Sequence, residues 1–204
     1  MSMEPWMQLT FCHFNDFRNL VEQFDKNPEI IHWKMGMRND TILHRAALNR
    51  RVEMVDFLLE HNAPQIEDGN GNYPLHCVAL GGDSVIAKKL IEAGADLEVS
   101  NHDLDKPLHL AASVGNLGVV AALLDAGAEL RSRGWLGNTA LHCAAQAAQV
   151  QVMKELVGRG LEIDTPNAKG EHPVHLAAGV AGKMNEIEHL EFLLKSGALI
   201  KKAR

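Results

Sequence analysis

The chain has 204 residues and a mass of 22.4 kDa, enough to bury a sizeable core in one or two domains. Hydrophobic residues make up 46% and charged residues 23%, a balance that excludes intrinsic disorder, collagen-like structure and a disulfide-stapled mini-scaffold. Twenty basic against 26 acidic side chains leave a net charge of -6, so no electrostatic footprint for a phosphate backbone exists and nucleic acid is not an expected partner. The acidic excess sits in residues 1–102, which carry 9 basic and 15 acidic side chains, so a basic partner surface would be steered there. The longest aliphatic stretch, Val119 to Leu124, is far too short for a bilayer span, and the first thirty residues show no signal-peptide pattern. No membrane association is expected. Cys12, Cys77 and Cys143 form no CxxC pair and are odd in number, which fits reduced thiols in a cytoplasmic protein, packed as small hydrophobes.

Taken in chain order, residues 1–45 contain no alanine but six of the ten aromatics, Trp6, Phe11, Phe14, Phe17, Phe24 and Trp33. Phe17, Leu20, Val21 and Phe24 recur at helical spacing, and Asn27-Pro28 predicts the end of that helix. The chain then repeats. Histidines stand at 44, 76, 109, 142 and 175, within Thr-Ile-Leu-His-Arg-Ala-Ala (41–47), Tyr-Pro-Leu-His-Cys-Val-Ala (73–79), Lys-Pro-Leu-His-Leu-Ala-Ala (106–112), Thr-Ala-Leu-His-Cys-Ala-Ala (139–145) and His-Pro-Val-His-Leu-Ala-Ala (172–178). The alanines after each Leu-His favour a first helix that a neighbour can approach closely. A second apolar-periodic run follows, such as Val52, Val55, Leu58 and Leu59, or Leu117, Val120, Leu123 and Leu124. One such helix pair cannot bury both of its apolar faces, so the units must stack.

The period of 33 residues and the Leu-His-x-Ala core resemble the ankyrin repeat over roughly residues 38 to 200. Asn62, Gly94, Gly127 and Gly160 stand where that family ends its second helix, and Gly71, Gly137 and Gly170 where it places a β-turn. Two turn positions depart from glycine, Asn39 and Leu104, and Leu104 is expected to distort its turn because a γ-branched residue disfavours positive φ. The resemblance implies an all-α ankyrin-repeat solenoid with short β-turn tips. Residues 1–37 would be a degenerate N-terminal capping repeat, followed by five repeats at about 38–69, 70–101, 102–134, 135–167 and 168–204 in one continuous domain. In the last repeat four extra residues are expected to lengthen the inter-helix turn near Gly179 to Glu186. His189 then falls where Met54, Ile86, Val119 and Val152 stood, as would suit a solvated outer cap.

Tests for chemistry return little. Successive motif histidines lie in successive layers about 8 to 10 Å apart, too far to share a metal whose ligands lie about 2 Å away. The resemblance gives them a structural role, bonding neighbouring turn backbone. His13, His32, His61, His102, His172 and His189 show no metal-ligand spacing, and the break between His172 and His175 gives no reason to expect a shared face. Asp68-Gly-Asn70-Gly-Asn72 begins like a calcium loop but fails at Tyr73 and Ala79. No nucleophile-elbow or phosphate-loop pattern occurs. No enzyme activity, cofactor or metal is expected.

What remains is a surface. In the ankyrin family the tips and first helices line a concave, protein-binding face. Carried over by register, that face would hold Met37, Arg38, Asp40 and Leu48 in the first repeat, Leu80 in the second, and His102, Asp103, Asp105 and Val114 in the third. Trp135, Leu136, Asn138 and Gln146 complete it in the fourth. Leu80, Val114, Trp135 and Leu136 beside Asp103 and Asp105 would give an apolar centre with a polar rim. Since the repeats occupy nearly all 204 residues, binding itself is the expected function. The chain reads as a monomer when free that occludes or assembles a partner protein with a basic or mixed apolar surface, as an inhibitor, immunity protein or assembly chaperone. The alternatives are a bivalent scaffold, or a metal-dependent enzyme or sensor using the non-motif histidines.

Overall fold

A computed structural model describes residues 17–184 and 187–198; Trp6, Phe11, Cys12, His13 and Phe14, and residues 185 and 186 of the expected insert, lie outside them. Helix α1 (Phe17–Lys26) realises the spacing of Phe17, Leu20 and Phe24. It seats Leu20 in the core and sets Phe17 and Phe24 edge-on to Phe57, at 5.7 and 5.2 Å between ring centres. Asn27 then caps a short 3-10 turn, Pro28–His32, by accepting the Glu29 N–H at 3.2 Å.

Five helix pairs follow. The inner helices are α2 (Ile42–Leu48), α4 (Pro74–Gly81), α6 (Pro107–Val114), α8 (Ala140–Gln146) and α10 (Pro173–Met184). Their outer partners are α3 (Val52–Glu60), α5 (Ser84–Glu92), α7 (Leu117–Asp125), α9 (Val150–Gly158) and α11 (Glu188–Lys195). Inner helices stack on inner helices and outer on outer, in chain order, as an all-α solenoid. Among the described residues the β pairing is confined to one bridge, Met35 to Asp40, in the first tip. Leu43, Leu75, Leu108, Leu141 and Val174 share one register position, and all are at most 3% exposed. Ala111, Ala112, Ala144 and Ala145 are fully buried between layers, whereas Ala178 in the last described unit is exposed.

The histidines join the layers. In each unit Nδ1 accepts the backbone N–H three residues earlier, from Thr41 at 3.1 Å, Tyr73 at 3.0 Å, Lys106 at 3.2 Å, Thr139 at 3.1 Å and His172 at 2.9 Å. That bond assigns the proton to Nε2. Nε2 donates to the next unit: His44 to the Asn72 carbonyl at 2.9 Å, His76 to Asp105 at 3.0 Å and His142 to Glu171 at 3.1 Å. His109 differs, donating to Ser132 at 3.2 Å. Burial lowers the pKa of His44, His76 and His109, and takes that of His142 down to about 4. Only the neutral ring can accept on one nitrogen and donate on the other.

Three expectations are corrected. Leu104 does not distort its turn: it adopts φ 65° and the turn closes normally, with Leu104 N–H on Asn101 at 2.9 Å and Asn101 N–H on Asp105 at 3.0 Å. The neighbouring units hold the tip, and the leucine, 61% exposed, bears the strain. The extra residues of the last unit do not simply lengthen a turn, because α10 continues to Met184, 12 residues against 7 or 8 in the other inner helices. Ala178, Gly179, Val180, Ala181 and Gly182 include no proline, so the backbone hydrogen bonding of the helix runs on through them. His189 is not solvated; it is 1% exposed, because donating Nε2–H to the Ala177 carbonyl at 3.0 Å satisfies the ring inside the core.

Two outcomes are expected. Leu104→Gly removes the left-handed strain of an exposed leucine and should raise stability by about 1 kcal/mol, after the extra freedom glycine gains in the unfolded chain; an unchanged or lower denaturation midpoint would contradict a strained tip. The buried histidines give the second. Unfolded imidazoles take up protons near pH 6.5 while the folded ones resist to lower pH, so stability falls as pH drops below about 6.5, and for His142 continues to fall to about pH 4. Each histidine adds a slope of up to about 1.4 kcal/mol per pH unit. Urea midpoints measured from pH 7 to 5 check this, and a flat profile would refute neutral burial.

Candidate functional site

The tips are built by short side chains that organise their own backbone. At the first tip residue Asp68 Oδ1 accepts the N–H groups of Asn70 and Asn72, both at 2.8 Å. Asn101 Oδ1 does the same for Asp103 and Asp105, each at 3.0 Å, and Asn167 Oδ1 for Lys169 at 2.9 Å and Glu171 at 3.0 Å. These residues also bond back to the preceding unit, Asn101 Nδ2 to Asn72 Oδ1 at 3.0 Å and Asn167 Nδ2 to Asn138 Oδ1 at 2.9 Å. Backbone bonds run beside them: Gly69 N–H to Arg38, His102 N–H to Asn70 at 3.0 Å and Ala168 N–H to Leu136 at 2.8 Å.

The junction between the third and fourth units breaks this pattern. Gly134 stands where the second, third and fifth units carry Asp68, Asn101 and Asn167, and a Cβ built on it would lie 2.4 Å from Asp105 Oδ1. The Asp105 carboxylate has taken the space an asparagine would fill, and it accepts the Trp135 N–H at 3.1 Å in place of the backbone bond. The fourth tip becomes a 3-10 turn, Trp135–Gly137, with Leu136 left-handed at φ 54°. Trp135 emerges 53% exposed, and Leu136 is half-buried.

A pocket of about 170 Å³ opens at this junction, lined by Asp105, Ser113, Trp135, Asn138, Cys143, Gln146 and Ala147. The structure thus gathers four of the residues expected from register, Asp105, Trp135, Asn138 and Gln146. Leu80 and Val114 are exposed but do not line the pocket, and His102 and Asp103 are exposed at the third tip. Met37, Arg38 and Leu48 are exposed in the first unit, where Asp40 pairs with Arg45 at 3.2 Å. Asn138 is only 5% exposed, and its side-chain oxygen is committed to Asn167. Cys143 was not foreseen as a lining residue; no signal marks it, since the same register position holds the buried Cys77.

His172 and His175 do meet, with ring centres 5.3 Å apart, because His172 caps the helix that His175 enters. His172 Nδ1 is engaged by the Asp164 carbonyl at 2.8 Å. Among the described residues no cluster of three or more His, Cys, Asp or Glu is placed to hold a metal ion, and no helix is long and apolar enough to cross a membrane.

A family model described as ankyrin repeats (3 copies) matches residues 11–101, 43–134 and 108–203, so the chain belongs to the ankyrin-repeat family, whose repeats are protein-protein interaction modules. The chain is similar to diacylglycerol kinase zeta of Rattus norvegicus, 36% identical over 86 residues, or 41% of this chain. It spans 9% of the length of that curated relative.

Burial pushes the thiols of Cys77 and Cys143 up to about 12, with the Asp105 charge adding to the effect at Cys143. Alkylation requires the thiolate. Iodoacetamide at pH 8 should therefore leave both peptides unmodified in the folded protein and label them after unfolding. Labelling of folded Cys143 at the rate of an exposed thiol, read by peptide mapping, would show that the pocket does not shield it.

Proposed function

We propose that this chain is a non-enzymatic binding module that holds a partner protein on the face formed by its tips and inner helices, and acts in the cytoplasm by occluding or assembling that partner. One observation carries the reading. The inner helices are otherwise buried on their core side, yet the exposed ends carry Leu48, Leu80 and Val114 at 41, 44 and 42% exposure, with Trp135 at 53% on the adjoining tip. Apolar side chains aligned along successive units, flanked by Arg38, Asp103 and Gln146, have the composition of an apolar centre with a polar rim. Trp135 has no core to serve, and tryptophan is enriched among residues that dominate binding energy. An inhibitor, an immunity protein and an assembly chaperone all use such a face, and the inhibitor reading needs least, since covering a partner's surface requires no second site.

Affinity capture from native lysate with mass spectrometry identifies the partner, and titration then measures its affinity. Trp135→Ala should leave circular dichroism and melting nearly unchanged while weakening the partner by roughly thirtyfold, about 2 kcal/mol. Leu80→Glu should act in the same direction. Full affinity in both folded variants would remove this face from the interface.

A further inference from the structure

Resting on the reading that the tip and inner-helix face binds a protein, we propose that the pocket between the third and fourth units receives an arginine side chain of that partner. The half-buried Asp105 carboxylate lines the pocket, and its Oδ1 takes only a backbone N–H, from Trp135 at 3.1 Å. Among the described residues Asp105 enters no ion pair. Its register equivalents are all answered within the chain: Asp40 by Arg45 at 3.2 Å, Asn72 by Asn101 at 3.0 Å, Asn138 by Asn167 at 2.9 Å and Glu171 by Asn167 at 3.1 Å. At Asp105 the answering residue is Gly134, which has no side chain to offer.

The rest of the wall suits a cation. No lysine or arginine lines the pocket. Ser113 spends its hydroxyl proton on the Leu110 carbonyl at 2.8 Å, so its oxygen faces any ligand as an acceptor. Gln146 is exposed and adds an amide oxygen, and Trp135 supplies an aromatic ring. A volume of about 170 Å³ holds the end of one side chain, not a helix or a strand. Guanidinium fits this set better than ammonium. It is planar, stacks on an aromatic face, donates in a fork to a carboxylate and gives up its hydration more readily.

The test uses the full chain, labelled with 15N, titrated with N-acetyl-arginine methylamide, with its citrulline counterpart, which keeps the shape and loses the charge, and with its lysine analogue, which keeps the charge and loses the fork. Saturable shifts at the Trp135 indole N–H and the Gly134 amide are expected with the arginine compound, with citrulline at least about tenfold weaker. Asp105→Asn should weaken arginine to the same extent. That variant keeps an acceptor for the Trp135 N–H, and Asn72 and Asn138 already hold its register position, so the fold accommodates it. Combining it with Gly134→Asn rebuilds the rung seen between Asn101 and Asn72, and should give a folded chain that no longer responds to arginine. Equal binding of citrulline, equal binding of the lysine analogue, or an Asp105→Asn chain that binds unchanged would each overturn the proposal. If arginine fails while Leu80→Glu still releases the partner, the pocket assignment falls alone. If arginine binds while Trp135→Ala and Leu80→Glu both keep the partner, the face is not the interface and the assignment to a partner's arginine falls with it.

Discussion

A neutral imidazole at the start of an inner helix, that of His44, His76 or His142, holds its unit in register with the next. Its Nδ1 caps its own helix and its Nε2 donates to the next tip, so one side chain fixes both a helix start and the distance between layers. Neutrality is a requirement, since a protonated ring would lose its acceptor and leave a charge where water cannot reach it. Burial enforces that state by the same packing that the bond organises. Apolar burial supplies most of the cohesion, at about 1.5 to 3 kcal/mol for each fully buried leucine, but it is non-directional and would tolerate sliding between layers. The bonds from His44, His76 and His142 remove that freedom.

Tip regularity depends on a second set of directional bonds, and there a single missing side chain matters. With glycine at 134, the fourth tip loses the self-accepting oxygen, the amide rung and the tip-to-tip backbone bond together. Asp105 occupies the space, His109 donates to the Ser132 carbonyl, and Leu136 takes a left-handed conformation. Each hydrogen bond contributes about 1 kcal/mol net, and the burial of Leu108, Leu141 and the alanines between α6 and α8 outweighs the loss. The junction therefore survives with its packing intact and its polar edge rearranged.

Sequence reading recovers the features that repetition encodes. The spacing of the five histidines carries the layer count, the register of Leu43 through Val174 carries the core, and the positive φ of Gly71, Gly94, Gly127, Gly137, Gly160 and Gly170 falls where turns and helix ends are expected. What escapes are responses to context. Leu104 reads as a local misfit, but its neighbours impose the turn on it. His189 reads as polar and therefore exposed, whereas the Ala177 carbonyl gives its ring a buried partner. Gly134 gives no signal in the sequence, since its consequence arises only through Asp105 on the preceding unit. The tip positions of the site are legible because register alone sets them; the pocket that joins them with Ser113 and Cys143 is not, because its walls come from two successive units.

In a stacked array each unit touches only its neighbours, so a departure at one junction leaves the rest of the chain as it was. That gives the third and fourth units a freedom that a globular core lacks. The ordinary junctions place their polar groups against each other and leave an edge with few unsatisfied demands. At the altered junction an uncompensated carboxylate, an exposed indole and an exposed amide lie together over an unchanged helix pair. The third unit carries Asn101 followed by His102 where the fourth has Gly134 and Trp135, and its tip closes with the full set of bonds. Local rules broken together at one place, without loss of the layer beneath, mark where this solenoid departs from mere stacking, and such departures concentrate at sites that serve function.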